Sequence, residues 1–226
     1  MILVPVKNLA QAKQRLAAVL DQSARTELAQ AMLQDVLAEL ASWARRPAVA
    51  IVTSDPFAVE LARQYDFEII PDPANPGETG AIEMATELCS ARGAESTLVI
   101  PADIPLIEAR ELDAILENVP TEGSVLVPAA DGRGTNAIFR RPADLFPLRF
   151  GNDSFKPHHA AAQATGKPCI VLRLPGIAVD VDNPSDLQQL MELPGETRAQ
   201  RLLRDWRRQG RVRTPDPAVL PRSGTV

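Results

Sequence analysis

Ile2-Leu-Val-Pro-Val6 leads directly into Lys7-Asn-Leu-Ala-Gln-Ala-Lys13-Gln-Arg15-Leu16. The first five residues form an apolar run broken only by Pro5, as expected of a strand covered on both faces in a parallel sheet. Three cations follow, at Lys7, Lys13 and Arg15, and a helical pattern begins. A buried strand that feeds a cationic loop and a helix N-terminus is a natural place to hold phosphates. No G-x-x-x-x-G-K-[ST] loop occurs, so lysine and arginine rather than a glycine cradle would hold them. That places nucleotidyl transfer ahead of phosphoryl transfer by a P-loop enzyme.

Outward from this stretch the chain alternates. Helical periodicity is expected from about Gln11 to Trp43 in two segments, the first marked by Leu16, Val19 and Leu20. The second runs from Ala24 to Leu40, with Leu28, Met32, Val36, Leu37 and Leu40 on one face. Strands are expected at Ala48–Thr53, Glu68–Ile70 and Thr97–Ile100. Helices are expected from Pro56 to near Tyr65 and from Thr79 to Arg92. This β-α-β-α-β-α-β order predicts an α/β fold, a three-layer, mostly parallel doubly wound sheet with right-handed crossovers. Further along, a helix at Glu108–Glu117, strands at Ser124–Pro128, Asn136–Arg140 and Cys169–Leu172, and a helix containing His158 and His159 are expected. A final helix follows Asp180-Val-Asp182-Asn-Pro. One domain is expected over 1–206, and an Arg/Pro-rich, poorly ordered tail over 207–226.

Composition narrows the class. The chain has 226 residues, a formal net charge of −5 and two cysteines, Cys89 and Cys169, with no C-x-x-C. Two reduced thiols, no leader pattern and no apolar run near ~18 residues predict a cytoplasmic protein without a membrane partner. The acidic balance gives no basis for a nucleic-acid partner. Whether the chain is a monomer or a homodimer stays open.

Three polar features fall at the carboxyl ends of the strands, where open α/β sheets bind ligands. These are the Lys7/Lys13/Arg15 group, Asp103 in Pro101-Ala-Asp-Ile-Pro105, and the pair Asp180 and Asp182. Cations with separated carboxylates at one sheet edge suggest Mg²⁺ and a triphosphate, since Mg²⁺ takes one or two carboxylates plus phosphate oxygens. Asp103 could instead cap the following helix. Asp180 and Asp182 alternate along an extended segment, so they are expected to point to opposite sides. Asp131-Gly-Arg-Gly-Thr135 reads either as a hairpin turn or as backbone that approaches an anion. Gly151-Asn-Asp-Ser154 reads equally as a helix cap or an anion site. Adjacent His158 and His159 point about 100° apart and do not chelate one metal; a surface or core role is expected.

Taken in order, several segments resemble the 2-phospho-L-lactate/phosphoenolpyruvate guanylyltransferases of coenzyme F-420 biosynthesis, within the molybdenum-cofactor-guanylyltransferase-like superfamily with its Rossmann-like nucleotidyltransferase fold. The segments are Val4-Pro-Val-Lys7, Ala12-Lys13-x-Arg15-Leu16, Pro101-Ala-Asp103-Ile-Pro-Leu106, Gly134-Thr135-Asn136, Phe150-Gly151-x-x-Ser154-Phe155…His158 and Asp180-Val-Asp182-Asn-Pro-x-Asp186-Leu187. The resemblance covers roughly Met1 to Asp205. It implies GTP as donor, a small phosphorylated carboxylic acid as acceptor and Mg²⁺ as cofactor. It also implies Lys13 on phosphate, Asp103 and Asp182 with Asp180 on metal, and Thr135, Gly151 and Ser154 on the acceptor. Pro5, Lys7, Arg15 and Gly80 are the further candidates for the nucleotide. One segment departs: where relatives carry Gly-Leu-Asn-x-Ala, this chain reads Pro76-Gly-Glu-Thr-Gly80-Ala, without the Asn. A sugar phosphate or molybdopterin as acceptor, and a nucleotide-binding regulator without catalysis, are the competing readings.

Overall fold

A computed structural model describes residues 1–74 and 77–211. Its strands are β1 (Ile2–Val6), β2 (Val49–Thr53), β3 (Glu68–Ile70), β4 (Thr97–Val99), β5 (Gly123–Pro128), β6 (Thr135–Arg141) and β7 (Cys169–Val171). Its helices are α1 (Gln22–Ser42), α2 (Pro56–Gln64), α3 (Glu78–Ala91), α4 (Ala109–Glu117), α5 (Phe155–Ala164), α6 (Pro184–Glu192) and α7 (Arg198–Arg208). The strands form one seven-stranded sheet in the order β3-β2-β1-β4-β6-β5-β7. All neighbours run parallel except β6, which is antiparallel to both β4 and β5.

The apolar strands alternate their side chains between two cores. Ile2, Val4 and Val6 pack with Leu33, Val36, Leu37 and Leu40 of α1, Leu61 of α2 and Leu112 and Ile115 of α4. Leu3, Ala50, Val52 and Ile138 face Ala81, Ile82 and Ala85 of α3 and Ala162 of α5. Helices therefore cover both faces, which is why β1 and β2 read as unbroken apolar runs. Chain order reverses between β1 and β4: β2 and β3 build outward on one side and β4 begins the other. That reversal opens a crevice at the strands' carboxyl ends, where such sheets bind ligands. Among the described residues no helix is long and apolar enough to cross a membrane.

Three expectations are corrected. The helix expected across Leu16–Leu20 does not form. Residues after β1 make two short 3-10 turns, Leu9–Gln11 and Gln14–Leu16, and the first α-helix starts at Gln22 behind an Asp21 cap. Lys13 joins the turns at φ 56°, ψ 42°, a left-handed conformation that breaks any helix there. Nor does α1 bury a single face. Leu28, Ala31 and Met32 point away from the sheet into a third cluster with Leu187, Leu190, Leu203 and Trp206.

Third, α6 is not the final helix. The chain continues into α7, which lies on α1 through Ala199, Leu203 and Trp206. Buried Asp35 of α1 accepts the Arg198 and Ala199 backbone N–H groups at 2.8 and 2.9 Å, fixing the α7 N-terminus. The helix runs through Arg208, and the Arg211 guanidinium stacks on Trp206 at 5.0 Å. The rest of the expected tail, 212–226, lies outside the described residues.

Candidate active site

Lys13, Asp103 and Asp182 meet at the crevice. The Lys13 ammonium donates to Asp103 Oδ2 at 2.6 Å and to Asp182 Oδ1 at 2.8 Å. Its side chain is 9 % exposed, against 27 % and 42 % for the two carboxylates. The three come from sequence positions far apart, brought together by the fold. Lys13 is held by its loop, where the Leu9 N–H donates to Asp55 Oδ2 at 2.9 Å while Asp55 also caps α2. Asp103 follows β4. Asp182 lies alongside because the Val181 N–H donates to the Asp103 carbonyl at 3.2 Å. The Asp186 carboxylate then accepts the Asp182 and Asn183 N–H groups, tying the segment to α6.

Electrostatics follow from this packing. Burial by itself would lower the Lys13 pKa, but Asp103 and Asp182 together outweigh it and hold the ammonium above its ordinary range. Burial would raise Asp182; Lys13 and then Arg15 hold it below the usual carboxylate range. Two further acids sit in the shadow of this pair. Burial, and next the Asp103 charge, push Asp180 up to about 6. The same two causes push Glu78 up to about 7, against the pull of Lys7. Negative charge is in excess here.

Two clefts meet at these residues. The larger, about 600 Å³, is walled by Arg15, Thr135, Asn136, Gly151 and Ser154. The smaller, about 370 Å³, is walled by Pro5, Lys7, Asn8 and Ala12. Lys13, Glu78, Pro101, Asp103 and Asp182 line both. The expected nucleotide residues Pro5, Lys7 and Lys13 thus share one cleft, and the expected acceptor residues Thr135, Gly151 and Ser154 share the other.

Arg15 and Gly80 do not join that nucleotide group. Arg15 lies on the larger cleft, donates to Asn152 Oδ1 at 2.6 Å and approaches Asp182 Oδ2 at 3.6 Å. Gly80 is inside α3, within the helix expected from Thr79, and lines neither cleft. The separation expected of Asp180 and Asp182 is also not realised: their segment is not a strand, and both line the larger cleft.

The acceptor-side loop is anchored at consecutive backbone N–H groups. Leu148 donates to Glu83 Oε1 at 2.6 Å, Arg149 to His158 Nε2 at 2.8 Å and Phe150 to Thr79 Oγ1 at 2.9 Å. Gly151 follows at φ 123°, a backbone that favours glycine, and lets the loop turn into α5. The Thr135 N–H donates to Ser154 Oγ at 3.0 Å, joining the start of β6 to the start of α5.

Sequence reasoning missed Glu78, which lies between the clefts, and Asn136, whose Nδ2 donates to Asp180 Oδ1 at 3.0 Å. Asn136 stood within the quoted Gly-Thr-Asn segment. Glu78 stood in the departing segment, and its only mark was a carboxylate at a helix start facing the cations. His158, expected to be a surface or core residue, is buried but contacts the acceptor loop. His159 stacks on Phe155 with ring centroids 5.8 Å apart.

The converging pair suits a hard divalent cation. Asp103 and Asp182 present oxygens to one point, occupied here by an ammonium, and their neighbours Asp180 and Glu78 are acids pushed up by burial and then by the Asp103 charge. Among the described residues no group of three or more His, Cys, Asp or Glu side chains is arranged to hold a metal. One or two carboxylates completed by phosphate oxygens and water are a usual ligand set for Mg²⁺.

A sequence model for the family described as "Guanylyl transferase CofC like" matches residues 1–215. A phosphoenolpyruvate guanylyltransferase of Sphaerobacter thermophilus is 36 % identical over 187 residues, 83 % of this chain and 90 % of that protein. A 3-phospho-D-glycerate guanylyltransferase of Colwellia psychrerythraea is 31 % identical over 189 residues, 84 % of this chain and 90 % of that one. Among solved structures, a nucleotidyl transferase from Methanothermobacter superposes with a TM-score of 0.56 at 17 % identity, covering 91 % of this chain and 99 % of the other. A CMP:2-keto-3-deoxy-manno-octonic acid synthetase complexed with CTP gives 0.54 at 14 % identity, covering 84 % and 95 %. At such identities these structures establish the shared nucleotidyltransferase fold.

Proposed function

Because the chain belongs to the CofC-like guanylyl transferase family and is a guanylyltransferase, we propose that it moves GMP from GTP onto a small phosphorylated carboxylic acid with release of pyrophosphate. Phosphoenolpyruvate is the proposed acceptor, with 3-phosphoglycerate and 2-phospho-L-lactate next, and deazaflavin (coenzyme F-420) assembly the proposed purpose. The supporting observation is the pair of clefts that share Lys13, Asp103 and Asp182. A donor in the smaller cleft and an acceptor in the larger would bring their phosphates together at that junction.

In this reading a phosphate oxygen of the acceptor attacks the α-phosphorus of GTP. One O–P bond forms, the bond from the α-phosphorus to the bridging oxygen breaks, and that oxygen leaves with pyrophosphate. A phosphate monoester with a second pKa of ~6 is already anionic, so no protein base is needed. Catalysis is then positioning and charge neutralisation. Lys13, now between two carboxylates, would turn its ammonium to the triphosphate as GTP enters. Lys7 would carry charge on the donor side. Thr135, Ser154 and the backbone at Gly151 would hold the acceptor's anionic groups.

Mg²⁺ is the proposed cofactor, held by Asp103 and Asp182 with Asp180 beside them. When bound, it would supply neutralisation of the triphosphate charge that these acids alone oppose. Two free cysteines, Cys89 and Cys169, support a cytoplasmic setting.

The test is to incubate the chain with GTP, Mg²⁺ and each of the three acids separately and to weigh the products. A guanylylated acid with equimolar pyrophosphate is expected. Pyrophosphate release that depends on none of the acids would remove the proposed acceptor class.

A further inference from the structure

His158 lies beneath the acceptor cleft, and the mechanism above gives it no task. Its ring is fully buried, edge-on to Phe150 with centroids 5.0 Å apart. Both ring nitrogens are engaged. Nε2 stands 2.8 Å from the Arg149 backbone nitrogen, which can only donate. Nε2 therefore carries no proton, and the proton of the neutral ring is on Nδ1. Nδ1 lies 2.9 Å from Thr135 Oγ1, so it donates to that hydroxyl. Ser154 Oγ, which already accepts the Thr135 N–H, also donates to Thr135 Oγ1, at 3.3 Å.

The hydrogen-bond capacity of the Thr135 hydroxyl settles the rest. A threonine oxygen accepts at two lone pairs and donates one proton. Both acceptor positions are taken, by His158 and Ser154. The remaining proton must point elsewhere, and Thr135 lines the larger cleft. We infer that His158 is a positioning residue of this enzyme: as the Nδ1–H tautomer it turns the Thr135 hydroxyl into a fixed donor toward an anionic oxygen of the acceptor. The same ring accepts the Arg149 N–H, which fixes its tautomer. The inference rests on the assignment of the larger cleft to the acceptor. Burial keeps the ring neutral, its pKa pushed down to about 4 with help from Arg140, so the tautomer persists across the physiological range.

Two substitutions separate the ring's two bonds. The amide of Asn reaches the place of Nδ1 and can donate to Thr135. The amide of Gln reaches the place of Nε2 and can accept from Arg149 but leaves Thr135 without its donor. Phosphoenolpyruvate is titrated into the full chain and into His158→Asn and His158→Gln, with acceptor KM and GTP KM measured in parallel. His158→Gln is expected to weaken phosphoenolpyruvate binding and raise its KM by about tenfold or more, the size of one lost hydrogen bond to a charged group. His158→Asn should stay within about threefold, and GTP KM should hold in both. Equal binding by all three chains, or an Asn variant as weak as the Gln variant, would overturn the positioning role alone. A wild-type chain that binds none of the three acids would overturn the acceptor assignment and this role with it. Nitrogen-15 NMR of the wild-type ring needs no variant to fold: a protonated Nδ1 supports the role, and a protonated Nε2 excludes it.

Discussion

Replacing Lys13 with methionine keeps the length of the side chain and deletes the charge between Asp103 and Asp182. Two consequences separate. Stability should fall, because two carboxylates at 2.6 and 2.8 Å lose their shared cation. A fully buried pair broken this way costs ~3–5 kcal/mol. These carboxylates are 27 % and 42 % exposed, so water and salt screen much of the loss. About 1–2 kcal/mol is expected, a Tm drop of about 3–6 °C for a domain of this size. Added Mg²⁺ should recover more Tm in the variant than in wild type, since no ammonium competes for the carboxylates. Turnover should behave in the opposite way. Loss of a preorganised charge at the reacting phosphates costs about 10²–10³ in kcat, which Mg²⁺ does not restore. The assays are a thermal melt with and without Mg²⁺ and pyrophosphate release at saturating GTP and phosphoenolpyruvate. A folded Lys13→Met chain with kcat within threefold of wild type would show that Lys13 never reaches the phosphates.

Three further outcomes are expected. The folded-state pKa of His158, about 4, lies below an unfolded value near ~6.5, so the unfolded chain binds more protons between them. His158 therefore contributes stability that is complete above pH ~6.5 and lost as pH falls through about 4, on the order of 3 kcal/mol; denaturant melts across this window should lose less stability in His158→Asn, and a parallel loss would refute the assignment. Asp35→Ala leaves the Arg198 and Ala199 N–H groups without their acceptor and should cost about 1–3 kcal/mol. It should speed amide exchange over 198–208 yet leave kcat within about twofold, because α7 lines neither cleft; a large kcat loss would tie α7 to the site. Thr79→Val removes the acceptor of the Phe150 N–H and should raise the acceptor KM more than the GTP KM; the reverse split would place that contact on the donor side.

The parts legible in the sequence were those with both faces buried. β1, β2 up to Thr53 and the Val125–Val127 run of β5 are apolar because helices cover the sheet on each side, and the alternation of strands with helices implied the crevice at their carboxyl ends. Asp103 and Asp182 could be placed there because each follows a buried segment. The misreadings have physical causes. Leu16, Val19 and Leu20 are buried at helix-like spacing, but by short 3-10 turns, and nothing in the type of Lys13 marks a left-handed backbone. The α1 helix is apolar on two sides because α7 covers the second. The α7 helix itself was hidden by its arginines. Its apolar stripe is only Ala199, Leu203 and Trp206, although Thr197-x-x-Gln200 is a capping box that marks its start. Gly80 already lay inside the expected helix, and the residue of that segment that reaches the clefts is Glu78, two positions earlier at the helix start. The role of His158 depends on which atoms its two nitrogens meet, which spacing does not reveal.

Asp103→Asn is the most direct test of the junction where the two clefts meet. The substitution preserves size and hydrogen bonding and removes one charge opposite Lys13. Pyrophosphate release with GTP, Mg²⁺ and phosphoenolpyruvate should be abolished while the circular dichroism and melt remain those of a folded chain. Release at a near-normal rate would mean that the chemistry happens elsewhere in the molecule.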